Sequence, residues 1–300
     1  MPAERREGMD HEHHEWSPIS TRGKLSWPDN AKVALCVIIT LEHTEWEAPE
    51  GSFSADQAGG LGLRPFPDYP RFSHREYGHR VGIFRVLDTL ERLKIKATVA
   101  MDTQTAEGYP YLVKHCQDRG CEIIAHGVSG TQMISGKMSI EEEVDFIRAS
   151  LDAMKEATGL APRGWFGTDY GESERTPGLL RQAGIDYLCD WVNDEQPYPM
   201  TGGLVALPTM LEMDDLFAMS NRRVEIERYC QSLKDGFDVM FRDGGNNGRL
   251  MTINLHPWLV GQPFRIGYLE EALAHIMGHD GVWAASGSEI IDWFRSNPPA

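Results

Sequence analysis

A repeated alternation of short apolar segments with amphipathic ones most constrains the fold of this chain. Residues 31–41 form a continuous apolar run, which is typical of a strand buried on both faces of a sheet. Further strands are predicted at 95–101, 121–125, 164–167, 185–189, 204–207, 250–255 and 282–285. Helices are predicted between them at 79–93, 109–118, 139–158, 173–183, 222–241, 265–277 and 288–295.

Seven or eight such β/α alternations predict a parallel sheet that is either doubly wound or closed as a barrel. No glycine-rich dinucleotide motif follows the first strand and no P-loop sequence occurs, so the barrel is favoured. A chain of 300 residues can form one such domain. We therefore expect a flexible polar N-terminal arm over 1–30, and a single catalytic barrel over 31–297. A long irregular insertion is expected at 48–78, where four prolines and five glycines occur.

Charge and cysteine content restrict the partners and the compartment. The formal net charge of −16 disfavours nucleic acid and anionic membrane surfaces as partners, although solubility alone accounts for much of it. The five cysteines form no CxxC pair, which fits a reducing compartment. No segment resembles a signal peptide, and no apolar run is long enough to span a bilayer. We expect a cytoplasmic protein that acts on a small molecule.

Acidic and imidazole side chains follow several of the predicted strands. Glu42 and His43 follow the first strand, and the later ends carry His126, Asp190 and His256. In parallel α/β folds, ligands bind at the carboxyl ends of strands, so these side chains are expected to meet at one rim. Such a set could bind Zn²⁺ or a similar ion that activates water. It could also use Glu42 as a base and a histidine as the acid that protonates an amide nitrogen.

Other residues near these ends are candidates for substrate binding, and each has a structural alternative. Trp165 and Trp258 are expected to line the pocket, or else to lie in the core. Backbone N–H groups near Thr168 could hold an oxyanion, or the residue could simply form a turn. Asp190 could instead cap a helix. Arg265 could grip a carbonyl or anionic group, but arginine is common where a helix starts.

Three motifs resemble those of the polysaccharide deacetylase (NodB-homology) superfamily, and the resemblance covers roughly residues 25–295. They are Thr-Leu-Glu-His-Thr at 40–44, His-Gly-Val-Ser-Gly at 126–130 and Leu-His-Pro at 255–257. The resemblance implies a deformed (β/α) barrel of about seven parallel strands. It places Glu42 at the position of the base and His256 at that of the general acid. His43 and His126 then occupy metal-ligand positions.

The chain departs from the usual deacetylase pattern in two places. Gly130 stands where the family has a second histidine ligand, and 164–168 lacks the arginine that orients the base. These departures resemble the allantoinase-like and cyclic imide hydrolase branch, whose members are understood to work without a metal. Three further segments resemble that branch, at 77–82, 194–198 and 255–265. His43, unless it caps a turn, could rebuild a three-ligand site with His126 and either Glu42 or Glu45, so one bound divalent metal stays an open alternative.

The sequence predicts a hydrolase of non-peptide carbon–nitrogen bonds that cleaves a small, cyclic amide, imide or ureide. Two alternatives stay open: a metal-dependent N-deacetylase of an acetylated sugar or polysaccharide, and a non-catalytic metabolite- or carbohydrate-binding module. Retention of both Glu42 and His256 argues against the binding module. Members of the branch are commonly oligomers, so we expect a homo-oligomer with 48–78 as a candidate contact.

Overall fold

The structure, a computed structural model, describes residues 10–47, 49–50 and 69–299, with the backbone alone of Arg71. The strands in this part of the chain are β1 (Val33–Leu41), β2 (Ala97–Met101), β3 (Glu122–Ala125), β4 (Gly164–Trp165), β5 (Tyr187–Leu188), β6 (Tyr198–Pro199), β7 (Val205–Ala206), β8 (Arg249–Leu255) and β9 (Val282–Ala284). The α-helices are α1 (Tyr69–Tyr77), α2 (Ile83–Arg92), α3 (Thr103–Gly108), α4 (Pro110–Asp118), α5 (Ile140–Thr158), α6 (Thr176–Gln182), α7 (Ile226–Asp243), α8 (Pro257–Val260), α9 (Ile266–Met277) and α10 (Gly287–Ser296). None of these helices combines the length and the apolar character needed to cross a membrane.

The nine described strands form one curled, mostly parallel sheet. Their order is β6-β7-β5-β4-β3-β2-β1-β8, and β9 also pairs with β1. Only β6 and β7 pair in antiparallel fashion among these strands. The two ends of the sheet approach each other, since Leu250 N–H donates to the Glu195 carbonyl at 2.7 Å and the Thr252 hydroxyl to that of Pro208 at 2.9 Å. The predicted deformed barrel is confirmed, as a half-barrel with nine strands instead of about seven.

β1 lies in the middle of the sheet, and its side chains alternate between two cores. Val37 and Ile39 face the larger core, which includes apolar residues of α2, α7 and α9. Cys36 and Ile38 face the smaller core, which includes Phe294 of α10. Because both faces are covered, every residue of β1 is buried. This explains the continuous apolar run in the sequence.

The irregular insertion predicted at 48–78 is wrong for its last part, because residues 69–77 form α1. Pro70 stands in the first turn of this helix, where a backbone N–H has no partner within the helix, so proline is tolerated there. The Trp46 ring packs against Tyr69 and Phe72, with centroids 5.2 and 5.1 Å away. Position 48 and positions 51–68 of the predicted insertion lie outside the described residues.

A π-helical segment, Gly78–Gly82, joins α1 to α2 and lies in backbone contact with α8. A Cβ on Gly82 would stand 2.0 Å from the carbonyl oxygen of Pro257. A Cβ on Gly78 would likewise stand 2.9 Å from the backbone nitrogen of Trp258. Only glycine allows so close an approach. This contact fixes the chain immediately after the end of β8.

Part of the predicted N-terminal arm belongs to the barrel. Leu25 and Trp27 are 0% and 1% exposed and lie in the smaller core. The Trp27 indole N–H donates to the carbonyl oxygen of Arg249 at 2.8 Å. Further upstream, Arg22 forms an ion pair with Asp194. Arg22, Leu25 and Trp27 therefore belong to the packed domain, and the first nine residues lie outside the described ranges.

Candidate active site

Glu42 is the first residue after β1, and its carboxylate lies at the carboxyl edge of the sheet. Its side chain is 11% exposed. Nη1 of Arg75 donates to Oε1 at 3.2 Å, and Oε2 lies 3.5 Å from Nε2 of His126. Burial raises the pKa of Glu42, but the nearby His126 and Arg75 outweigh burial and hold the pKa at about 2. The carboxylate is therefore ionised at neutral pH, as a general base must be.

His126 follows β3 and faces Glu42 with one ring nitrogen. Its Nδ1 contacts the carbonyl oxygen of Phe166, and because that oxygen can only accept, Nδ1 carries a proton and donates it. The other ring nitrogen, Nε2, faces Oε2 of Glu42 at 3.5 Å, where a proton on Nε2 stabilises the carboxylate. Nε2 is buried and has no closer hydrogen-bond partner among the described residues.

His256 follows β8, and Asp215 holds it through two hydrogen bonds. His256 Nδ1 lies 2.6 Å from Oδ1 of Asp215, and the His256 backbone N–H donates to Oδ2 at 2.9 Å. Burial lowers the pKa of His256, but Asp215 outweighs it, with smaller contributions from Asp214 and Glu42, and the pKa rises to about 9. The imidazole is therefore protonated at neutral pH. Its Nδ1 donates to Asp215, which leaves the Nε2 proton for a leaving group.

The structure brings Glu42, His126 and His256 together at one end of the sheet. β1 lies between β2 and β8, and Ile39 pairs with Leu255, so the ends of β1 and β8 are neighbours. The positive charge of His256 lowers the pKa of Glu42, and the negative charge of Glu42 raises that of His256. An ionised carboxylate and a protonated imidazole thus share one buried site.

Arg75 and Asp215 are two site residues that the sequence analysis missed. Arg75 lies on α1, in the segment predicted to be irregular, and it supplies the guanidinium that 164–168 lacks. Asp215 immediately precedes the π-helical segment Leu216–Asn221, 41 positions before His256. Its only sequence signal is the adjacent pair of aspartates at 214 and 215, which also suits an ordinary turn.

The loop after β1 is fixed by backbone hydrogen bonds. Asp102, which follows β2, accepts the N–H of His43 at 2.6 Å and that of Thr105 at 2.7 Å. The Gly130 N–H donates to the His43 carbonyl oxygen at 2.8 Å. A Cβ on Gly130 would lie 3.2 Å from Cδ of Glu42, closer than ordinary van der Waals contact. A side chain at position 130 would therefore crowd the Glu42 carboxylate, which would have to shift by a few tenths of an ångström.

The donor set beside Glu42 does not fit a three-ligand metal site within the described residues. The His43 ring packs at 6.4 Å from that of His79, and it does not join Glu42 and His126 in a cluster of ligand atoms. Two donors remain, whereas catalytic zinc sites use three protein ligands. Arg75 also neutralises the carboxylate. Within the described residues, Glu42, His43 and His126 therefore form no three-ligand cluster, and a metal held by His43 and His126 stays a prediction.

Asp214, Asp215 and His256 form another buried cluster of possible ligand atoms. Their oxygens are already engaged, because Asp214 Oδ2 accepts from Asn254 at 2.6 Å and from Tyr170 at 2.9 Å. Both oxygens of Asp215 accept from His256. This cluster is organised to hold a protonated imidazole, which a cation would oppose.

Three of the residues predicted to bind substrate are buried, namely Trp165, Thr168 and Asp190. Trp165 is 0% exposed and lies in the larger core, so the prediction that it lines the pocket is wrong and its core alternative holds. The Thr168 hydroxyl donates to the carbonyl oxygens of His126 at 3.0 Å and Ser129 at 3.1 Å. Asp190 accepts a backbone N–H from the loop after β4 at 2.7 Å. Burial raises the pKa of Asp190 well above its usual value.

Trp258 and Arg265 lie on the α1 side of the site. The Arg75 guanidinium stands 3.9 Å above the Trp258 ring, and the His74 ring meets the same indole edge-on at 5.0 Å. Arg265 donates to the Leu259 carbonyl at 3.2 Å, immediately before α9. The structure thus places Trp258 against Arg75, which binds the Glu42 carboxylate. Direct contact of Trp258 or Arg265 with substrate stays a prediction.

Two residues in the turn after β4 have strained backbone conformations. Asp169 and Tyr170 both adopt left-handed conformations, with φ of 49° and 59°. Such conformations cost energy for residues with a Cβ and persist only where the surroundings enforce them. The Tyr170 hydroxyl donates to Asp214, and burial together with the charge of Glu42 raises the pKa of Asp169. The Asp169 carboxyl therefore lies within electrostatic range of Glu42.

Several known proteins are similar to this chain in sequence or in fold. The sequence model of a family described as polysaccharide deacetylase matches residues 76–188. A protein of Schizosaccharomyces pombe (strain 972 / ATCC 24843), named "Putative polysaccharide deacetylase", is 28% identical over 315 residues. The match covers 94% of this chain and 95% of that protein.

Two solved structures are similar in fold. The crystal structure of PuuE allantoinase has a TM-score of 0.81 and 23% identity, over 91% of this chain and 94% of that one. A protein of Pseudomonas aeruginosa PAO1, named "probable Polysaccharide deacetylase", has a TM-score of 0.79 and 25% identity over the same shares of the two chains. The likeness to the allantoinase shows the fold alone. Both solved structures, one named as an allantoinase and one as a probable polysaccharide deacetylase, thus share the fold of 91% of this chain.

Proposed function

The chain belongs to the polysaccharide deacetylase superfamily, and we propose on that premise that it cleaves the carbon–nitrogen bond of a small, cyclic amide, imide or ureide. The observation that carries the proposal is the charge state of the site. Glu42 is ionised while His256 is protonated, so the base and the acid required for amide hydrolysis are present together at neutral pH.

Glu42 is the proposed general base. It orients a water molecule and takes its proton as the oxygen bonds to the substrate carbonyl carbon. Since the pKa of Glu42 is about 2, proton transfer becomes favourable only as the attacking water grows more acidic during bond formation. Arg75 holds one oxygen of the carboxylate, and the other oxygen faces His126. This arrangement leaves the second oxygen to direct the water.

His256 is the proposed general acid. An amide nitrogen leaves poorly unless it is protonated, and His256 donates its Nε2 proton to that nitrogen. Asp215 holds the ring and stabilises its positive charge, as a positioning residue. After the step, His256 is neutral and Glu42 has gained the water proton, so a proton passing from Glu42 to His256 through solvent restores both groups.

Three observations support a small cyclic substrate. Gly130 stands where a second histidine ligand is usual, and the described donor set does not complete a metal site. Arg75 and Trp258 pack against each other on one side of the base, which narrows the room for a polymer. The fold is also that of a protein named as an allantoinase, which is a cyclic ureide hydrolase by that name.

Turnover of a panel of five- and six-membered cyclic amides, imides and ureides tests the proposal. We expect ring opening of at least one compound, and a loss of about 10²- to 10⁴-fold in kcat for Glu42→Gln and for His256→Ala. Glu91→Gln and His115→Ala are matched controls, on α2 and α4, and should keep full turnover. Full activity of both site variants on a confirmed substrate contradicts the assigned roles.

A metal-dependent N-deacetylase is the second candidate, because the Schizosaccharomyces pombe relative carries a polysaccharide deacetylase name. It predicts release of acetate from an N-acetylated oligosaccharide and a loss of activity with a chelator. The first candidate predicts ring opening that a chelator leaves unchanged. Acetate release and ring opening, each measured with and without chelator, separate the two.

A further inference from the structure

A second group of possible metal ligands lies between α7 and α9, apart from the strand ends that carry the site. Asp238 lies on α7, His275 on α9, and His279 just after α9. One ligand atom from each lies within 4.8 Å of the other two. Asp238 is exposed and both histidines are partly exposed, so an ion in solution can reach all three.

The hydrogen bonds of the two histidines suit metal binding. His279 Nδ1 lies 2.8 Å from the carbonyl oxygen of His275 and must donate to it, so the other ring nitrogen keeps a lone pair. Metal-bound histidines typically donate their second N–H to a carbonyl or carboxylate in this way. His275 Nε2 lies 2.8 Å from Oδ1 of Asp238, where an ion can replace the shared proton.

The surroundings restrict the motion of these side chains. The Phe237 ring lies 5.9 Å from that of His275 and 5.0 Å from that of His279. Phe241 lies 5.1 Å from the His279 ring on the same side. The i, i+4 spacing of the histidines places both rings on one face, with centroids 5.0 Å apart. The donors are therefore partly preorganised.

We propose that Asp238, His275 and His279 bind a divalent first-row transition ion such as Zn²⁺, with water completing the coordination. Two imidazoles and one carboxylate suit Zn²⁺, Ni²⁺ or Cu²⁺ better than Mg²⁺ or Ca²⁺, which prefer oxygen. Tetrahedral bonds of about 2.1 Å place ligand atoms about 3.4 Å apart. That spacing lies between the 2.8 Å from His275 Nε2 to Asp238 Oδ1 and the 4.8 Å that bounds the group, so small side-chain rotations suffice. The bound ion joins α7 to α9 and takes the place of the hydrogen bond between His275 and Asp238.

Titration calorimetry with Zn²⁺ on tag-free protein tests this site. The parent protein carries His11→Ala, His13→Ala and His14→Ala, because these neighbouring imidazoles could bind zinc themselves. We compare the parent with His279→Ala and with Asp238→Ala. His115→Ala removes an unrelated partly buried histidine on α4 and serves as the control. Circular dichroism checks that each variant is folded.

We expect the parent and the His115→Ala control to bind one zinc ion per chain. His279→Ala should bind zinc with an affinity at least about tenfold lower. Zinc should also raise the melting temperature of the parent, because the ion binds the folded form, and this rise should disappear in both cluster variants. The proposal is overturned if the parent binds no zinc. It is also overturned if both cluster variants keep the stoichiometry and affinity of the parent.

Discussion

Glu42 and His256 carry opposite charges in one buried site, and each stabilises the ionised form of the other. Each also has a dedicated partner, since Arg75 binds the carboxylate and Asp215 binds the imidazole. The two ion pairs separate the pKa values of the base and the acid by several units. Both groups are therefore in the required protonation state over a wide pH range.

The pH dependence of kcat/KM should follow these two groups. Activity should fall above about pH 9, because His256 loses its proton there and can no longer protonate the leaving nitrogen. Arg75→Met should raise the pKa of Glu42, so the acid limb should move to higher pH while the alkaline limb stays in place. Arg92→Met is the control, because Arg92 forms an exposed ion pair with Glu270. An alkaline limb near the ordinary histidine pKa of about 6.5 would falsify the acid role of His256.

The sequence predicted the residues that end strands, because apolar periodicity locates strand ends. Glu42, His126 and His256 were found in this way, and the structure brings them together. Arg75 and Asp215 were not, because a helix and a segment far along the chain carry them to the site. Their positions depend on tertiary packing that leaves no local pattern. Trp165 was misplaced because an aromatic residue at a strand end suits a pocket and a core equally.

At the scale of elements, the helical run from α1 through Gly78–Gly82 to α2 determines where the chain turns after β8. Gly82 allows the backbone of this run to touch Pro257, the residue that follows His256. The alternation of strands and helices was predictable from apolar runs and helix stops. α1 was not, because its sequence, Tyr-Pro-Arg-Phe-Ser-His-Arg-Glu-Tyr, carries no apolar stripe and follows proline-rich chain.

Gly82→Ala should lower the free energy of unfolding by about 1–3 kcal/mol, because the added Cβ overlaps the Pro257 carbonyl. It should also lower kcat more than it changes KM, since the displaced turn carries His256. Gly178→Ala is the matched control, because Gly178 lies on α6 and a Cβ there meets no atom within 4 Å. That variant should be neutral or slightly stabilising. Urea unfolding and steady-state kinetics measure both effects, and equal behaviour of the two variants contradicts the contact.

At the scale of the whole molecule, two cores on opposite faces of the sheet hold the barrel. The smaller core is completed by α10 and by Leu25 and Trp27, which precede β1. The sequence assigned these two residues to a polar arm because the surrounding segment lacks periodicity. Their burial depends on the Trp27 indole reaching the Arg249 carbonyl across the sheet, a contact that no local signal indicates.

Trp27→Ala should therefore lower the free energy of unfolding by about 3–5 kcal/mol, as is usual for removal of a large aromatic from a core. Trp16→Ala is the comparison, because Trp16 is 54% exposed and its loss should change stability by less than about 0.5 kcal/mol. Urea unfolding of both variants measures the difference. If the two variants unfold alike, the segment before β1 is not part of the core.

Because Arg75 belongs to α1 and not to a strand end, the proton affinity of Glu42 is linked to the place that α1 occupies. Thermodynamic linkage makes this relation reciprocal. A compound that draws α1 away from the barrel causes Glu42 to take up a proton more readily, and a proton bound by Glu42 weakens the attraction that keeps α1 docked. At a pH between the pKa of Glu42 with α1 docked and its pKa without Arg75, proton uptake therefore reports the movement of this helix.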